Sequence, residues 1–197
     1  MSIRAVPIAP ELVRGAARAV AESFFDNEIW VWLLRRDWQR RRLLPRHYRA
    51  MIRRVYVPRG GAWTTPDTVG AALWLPPGTL EMSRRERFAE LASLLPEGAD
   101  SFVRGTRWEQ LLAEHHPKEP HWYLPLIGTD PAKQGNGHGS ALLLHALAIC
   151  DRERLPAYLE ASSPRNIPLY RRHGFESLGS IQVGNSPVIT PMLRQPR

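Results

Sequence analysis

The chain has 197 residues, 43% of them hydrophobic, which is enough for one packed core and excludes wholesale disorder. Its formal charge is +8, from 27 Lys+Arg against 19 Asp+Glu, and the only lysines are Lys118 and Lys133. No apolar run reaches the roughly 18 residues of a membrane helix, Pro7, Pro10 and Glu11 interrupt any secretory leader, and the lone Cys150 excludes a disulfide framework and a paired-cysteine metal knuckle; the expectation is one soluble, cytoplasmic domain, with no membrane partner.

In chain order, Arg4 to Ile8 reads as an opening strand, and Glu11 to Phe25 as a helix with Leu12, Ala16, Ala19, Val20 and Phe24 on one face. Trp30 to Leu34 is an apolar patch. A helix over Asp37 to Tyr56 follows, with Leu44, Tyr48, Met51 and Val55 as its apolar stripe and arginines (Arg40 and Arg41 among them) around the remainder. These arginines are expected to form a solvated face, with an acidic partner or nucleic acid as the other reading. Gly60-Gly61 marks a turn before two strands, Ala62 to Thr65 and Thr68 to Leu75. Ser83 and Glu86 have capping-box spacing for a helix to about Leu95, and a further helix covers Ser101 to His115.

The second half is richer in signal. His121 to Thr129 reads as a strand despite Pro125, and the glycine-rich turn Gln134-Gly135-Asn136-Gly137-His138-Gly139 opens a helix running from about Gly137 to Arg154. Ala157 to Glu160 is a strand, Arg165 to His173 a short helix closed by Gly174, and strands near Glu176 to Val183 and Val188 to Leu193 end the chain.

Alternating glycines before a long helix make an anion cradle, because glycine tolerates positive φ and the first helical amides lack partners. A surface turn is the plainer alternative. A nucleotide-triphosphatase loop would need Lys-Ser or Lys-Thr after the last glycine, where this chain has Ser140-Ala141. A dinucleotide fingerprint would turn directly off its strand, whereas Asp130 to Gln134 intervene here.

Read as Gln134-x-x-Gly137-x-Gly139 after a Thr129-x-Pro131 turn, the loop resembles the acetyl-coenzyme A signature of the GNAT superfamily of N-acetyltransferases. Glu160, Asn166, Tyr170 and Gly174-Phe175 extend the likeness. His116 to Pro120 and Ser163 to Tyr170 are similar, more narrowly, to the puromycin N-acetyltransferase group. The resemblance implies an α/β fold of α+β type: a central mixed, largely antiparallel sheet of about six or seven strands with helices on both faces. It also implies an acceptor-shaping half at 1–116 and an acetyl-CoA-binding half at 117–197.

The same resemblance assigns roles. Acetyl-CoA would lie against main-chain groups of Ile127, Gly128 and Thr129 and in a loop of Gln134, Gly135, Asn136, Gly137, His138, Gly139 and Ser140, with Asn166 also addressing it. His138 departs from the basic residue that many members carry at its position. Tyr170 is the expected general acid or else a packing ring, and Glu160 the expected base or else a solvated strand-end carboxylate. Asn166 can equally cap the helix that begins at Ser163-Pro164.

The chemistry expected is direct acetyl transfer to the amine of a small molecule, an antibiotic or amino-nucleoside among the candidates. An arginine-rich, acyl-CoA-sensing module that binds nucleic acid without turnover is the alternative. His115, His116 and His121 lack a partner carboxylate or cysteine at ligand spacing, so no metal is expected, and Cys150 on an apolar helix face reads as a buried thiol. Trp30, Trp32, Trp38, Tyr48 and Trp63 either shape the acceptor pocket or, for the most part, fill the core.

Overall fold

The computed structural model describes residues 3–87, 90 and 99–197. A seven-stranded sheet, β1 (Val6–Pro7), β2 (Ala62–Thr64), β3 (Gly70–Leu75), β4 (Trp122–Thr129), β5 (Ala157–Ala161), β6 (Glu176–Ser177) and β7 (Thr190–Arg194), runs in the order β1-β2-β3-β4-β5-β7-β6. Every pairing is antiparallel except β4 with β5. Strands from both halves of the chain therefore share one sheet.

Among the described residues the helices include α1 (Val13–Ser23), α2 (Glu28–Leu33), α3 (Asp37–Met51), α4 (Ala99–His115), α5 (His138–Glu153) and α6 (Ile167–Arg172). Alternation along β3 divides the core between the two faces of the sheet. Ala71, Leu73 and Leu75 pack with Ala16, Val20, Leu44 and Tyr48 of α1 and α3. Ala72 and Trp74 pack with Leu142, Leu143 and Ala146 of α5. The expected mixed, mainly antiparallel sheet with helices on both faces is what the chain adopts.

The elements differ from expectation at two places in the first half of the chain. The helix read over Asp37 to Tyr56 becomes a π turn over Ile52–Tyr56, where Val57 N–H bonds to Ile52 O and Gly61 N–H to Tyr56 O. Ile52, Val55 and Tyr56, at i, i+3 and i+4, stay buried through this turn. The apolar patch at Trp30 is part of α2, whose start is capped by Asn27 Oδ1 accepting from Ile29 N–H at 3.0 Å.

The arginine face also needs a correction. Arg40 is not solvated; it is 4% exposed and donates to Phe25 O, Leu34 O and the Asp37 carboxylate, which ties α3 to the end of α1 and to α2. Arg35, Arg36, Arg41, Arg42, Arg49, Arg53 and Arg54 are exposed. Of the aromatics, Tyr48 and Trp63 are buried, Trp30 and Trp32 half-buried and Trp38 exposed.

Residues 84–87 are helical, and Ser83 and Glu86 make both bonds of a capping box. The expected continuation to Leu95 lies outside the described residues except at position 90. The late strand read over Glu176 to Val183 forms only at Glu176–Ser177, plus a single bridge between Ile181 and Ile189.

Candidate active site

β4 is the strand on which the site is built. Its pairing with β3 shifts register between Leu73 and Leu75, opposite Leu124 and Pro125. Side chains change faces there: Trp122 and Leu124 point to the α5 face, but so does Ile127, while Tyr123 and Leu126 meet the α1 face. That is a β-bulge with proline in it, a place where a residue lacking an N–H is tolerated.

Beyond the bulge β4 leaves its parallel partner. Pairing with β5 covers only Trp122 to Leu124 against Ala157 to Leu159, after which β4 continues beside β3 and β5 beside β7. Asp130 N–H donates to Val69 O. By the two-residue period, the amide of Gly128 also faces β3, and those of Ile127 and Thr129 face the gap left by β5.

Beyond the open end of this gap, Gly135 and Gly137 take φ of +80° and +86°. A Cβ at either would meet nothing within 4 Å, so conformation and not space calls for glycine at these two positions. Gly137 caps α5, whose first bond is Ala141 N–H to Gly137 O, leaving the amides of His138, Gly139 and Ser140 without helical acceptors. Asp130 Oδ1 accepts from Ala132 N–H, Gln134 Nε2 donates to Thr129 O, and Asn136 Nδ2 donates to Lys133 O and Gln134 O; together these bonds fix the loop.

A cavity of about 320 Å³ lies over the loop and the splayed end of β4. It is lined by Ile127, Gly128, Thr129, Gln134, Gly135, Gly137, His138, Gly139 and Ser140, with Asn166 and Tyr170 from the far side. Asn136 is not in its wall. The residues present suit a long anionic ligand: unpaired amides at a helix start, the buried and unpartnered Nδ1 of His138, and the cations Lys133 and Arg172, whose part the sequence reading missed.

A second cavity, of about 310 Å³, opens on the α1 face. Phe24, Trp30, His47, Tyr48 and Tyr123 give it an aromatic wall, and Glu160, Glu90 and Asn27 supply polar groups. Burial pushes the His47 imidazole down to about 4, so it is neutral. Burial first, then the nearby Glu109, raises the Glu90 carboxyl to about 7, against the opposing pull of Arg87. Ile127, Asn166 and Tyr170 line both cavities, so these three residues stand where the cavities meet.

Tyr170 is 6% exposed, with its ring packed edge-on against Phe175 at 6.0 Å. Burial raises its phenol above the ordinary value. Asn166 makes no side-chain cap at the start of α6; Ser163 Oγ takes that part by accepting from Arg165 N–H. The Glu160 side chain is 7% exposed and not solvated, and its Oε1 is buried without a hydrogen-bond partner. Cys150 lies in the core with its thiol pushed up to about 12 by burial. Among the described residues no cluster of three or more His, Cys, Asp or Glu side chains is arranged to hold a metal ion, and no helix is long and apolar enough to cross a membrane.

Residues 101–175 match the sequence profile of the acetyltransferase (GNAT) family. An uncharacterized N-acetyltransferase of Schizosaccharomyces pombe is 27% identical, over 92% of this chain and 78% of its own length. A Corynebacterium glutamicum structure described as histone acetyltransferase HPA2 and related acetyltransferase is also 27% identical. It superposes with a TM-score of 0.76 over 100% of this chain and 98% of its own. An arylalkylamine N-acetyltransferase of Aedes aegypti, 12% identical, covers both chains fully with a TM-score of 0.64 and so shares the fold. The matched segment and these relatives make the chain similar to acetyltransferases of the GNAT superfamily, and its sheet and helices have the fold of such structures.

Proposed function

We propose that the protein transfers an acetyl group from acetyl-CoA directly to the amine of a small molecule. The observation that carries this reading is the meeting of two cavities at Ile127, Asn166 and Tyr170, one walled by the glycine loop and the other by aromatic rings and Glu160. Acetyl-CoA supplies the acetyl group as an activated thioester.

The chain's own groups divide the remaining work. The amides of His138 to Ser140, with Lys133 and Arg172, hold the diphosphate. The Ile127 N–H, facing the gap between β4 and β5, donates to the oxyanion that develops as the amine attacks. Glu160 takes a proton from the amine side, and Tyr170, protonated throughout the working range because burial raises its pKa, gives one to the departing thiolate. A cavity of about 310 Å³ with an aromatic wall suits a compact amine carrying a flat or apolar group, which includes amine-bearing antibiotics and amino-nucleosides.

Calorimetry with acetyl-CoA and a thiol-release assay over a panel of amines test the reading together. Saturable uptake of acetyl-CoA and amine-dependent thiol release are expected. Failure to take up acetyl-CoA overturns it, and steep salt-dependent DNA binding without turnover would favour a regulatory role for the exposed arginines instead.

A further inference from the structure

Three histidines that are close in sequence part company in the fold. His115 Nδ1 turns back on Leu111 O of α4 at 2.9 Å. His116 instead enters the space beneath β4 and β5, where its Nδ1 is 3.8 Å from Glu160 Oε1 and its Nε2 is 2.9 Å from His121 Nε2. His121 Nδ1 in turn lies 2.7 Å from Glu119 O, at an exposed position. Tyr123 and Tyr158, opposite one another in the β4–β5 register, hold the His116 ring edge to face at 4.7 and 5.0 Å. A continuous line of polar atoms thus runs from the cavity carboxylate to the surface.

The hydrogen-bond network assigns the protons on that line. A carbonyl only accepts, so His121 Nδ1 carries hydrogen and, in the neutral ring, Nε2 offers a lone pair. His116 therefore donates through Nε2–H, and its Nδ1 shows a lone pair to Glu160. Two acceptors face each other while Glu160 is ionised, which accounts for a gap of 3.8 Å where a hydrogen bond would close to about 2.8 Å. The missing hydrogen is the one Glu160 gains when it deprotonates a substrate.

Resting on the function proposed above, we infer that Glu160, His116 and His121 form a proton exit, and that the acceptors it serves are alkylamines that arrive as ammonium ions. The balance requires such an exit only for them: an ammonium, a thioester and the enzyme yield amide, thiol and one proton, whereas an already neutral amine releases none. Glu160 takes the ammonium proton and passes it to His116 Nδ1. His116 Nε2–H passes to His121 Nε2, and the His121 Nδ1–H leaves to water.

The groups facing this line favour that direction of travel. Burial, more than the bond to Glu119, sets His121 below the ordinary histidine value, with His116 adding to the lowering, so it rests neutral and able to accept. Burial and the nearby Glu160 charge raise the Tyr123 and Tyr158 phenols, which therefore stay protonated and do not divert the proton. His116 and His121 act through Glu160 and are positioning residues, not catalytic ones.

The test compares 2-phenylethylamine with its β,β-difluoro analogue, a near-isostere whose amine is largely neutral at mildly alkaline pH. For His116→Ala, kcat/KM with phenylethylamine should fall about 10–100-fold, toward the lower end of general acid–base effects, and much less with the difluoro analogue. The loss should shrink as pH rises and free amine accumulates, and added imidazole should restore part of the rate. His121→Gln, at the half-exposed end, should show the same substrate and pH dependence without disturbing the core. Equal losses on the two amines in both variants, at all pH values, would reduce the histidines to packing and overturn the exit. If wild-type enzyme binds acetyl-CoA but turns over neither amine, the assigned acceptor class falls, and the exit with it, while the donor half of the proposed function stands.

Discussion

Tyr170 lends itself to a clean substitution because its two contributions separate. The ring packs on Phe175, and the hydroxyl is the only part that can move a proton. Tyr170→Phe keeps the packing, so acetyl-CoA affinity should hold while kcat falls about 10²–10⁴-fold; steady-state kinetics beside calorimetry read the split. Unchanged kcat would remove the phenol from the reaction. Cys150 gives the opposite expectation. With its thiol buried and pushed up to about 12, iodoacetamide at neutral pH should leave turnover intact, which a rate assay before and after treatment checks. Asn166 and Tyr170 could be paired from sequence, since four residues on one helical run share a face. The His116–Glu160 contact could not. Glu160 follows β4 and the whole of α5 in the chain and meets His116 only through the fold, so spacing along the sequence gives no sign of the contact.

Elements, in this fold, are positioned by small residues as much as by large ones. A Cβ on Gly128 would stand 2.9 Å from Ser23 Cβ and 3.2 Å from Val20 Cα, so α1 rests almost directly on the β4 backbone. Gly128→Val should push α1 outward, costing about 1–3 kcal/mol of stability as overpacking does. Because Ser23 and Gly128 also line the loop-side cavity, acetyl-CoA affinity should weaken along with it. Urea unfolding and calorimetry measure the two effects, and a variant of wild-type stability would show that α1 yields freely.

Sequence periodicity found α1, α3 and α5 because each has one face in the core, and β3, buried on both faces, was legible as an apolar run bounded by turn residues. Periodicity did not find the π turn at Ile52–Tyr56, because buried Ile52, Val55 and Tyr56 keep the spacing of an ordinary helix. Nor did it find the bulge at Leu124–Pro125, where proline in a strand was visible but the resulting change of faces was not. The late strand was overextended because bridge-forming Ile181 and Ile189 are separated by a turn that supports one bridge and no ladder.

At the scale of the molecule, two arginine–carboxylate clusters tie separate elements together. Arg194, 4% exposed, donates to both Asp151 oxygens at 2.7 and 2.9 Å and to His173 O at 3.0 Å, joining α5, β7 and the end of α6. Arg59 joins the π turn to residues 79–86 through Val55 O, Thr79 O, Glu81 O and the Glu86 carboxylate. The guanidinium beside Glu86 lowers its carboxyl from 4.5 to about 2, and Arg194 lowers that of Asp151 below 3.8. Both shifts are depressions, so the stability they contribute is present above the unfolded-state values and disappears as pH falls toward the folded ones.

Unfolding free energy should therefore begin to drop below about pH 4.5 and keep dropping toward pH 2. Arg59→Met and Arg194→Met should each cost about 1–3 kcal/mol at neutral pH, as charge-assisted hydrogen bonds do. Having no shared partners, their effects should nearly add. The sharper test is the slope: each variant should lose less stability on acidification than wild type, because its carboxylate has less protection left to forfeit. A double variant that keeps the wild-type acid slope would mean that other carboxylates govern acid unfolding and that these two clusters tie elements together without setting the pH limit of the fold.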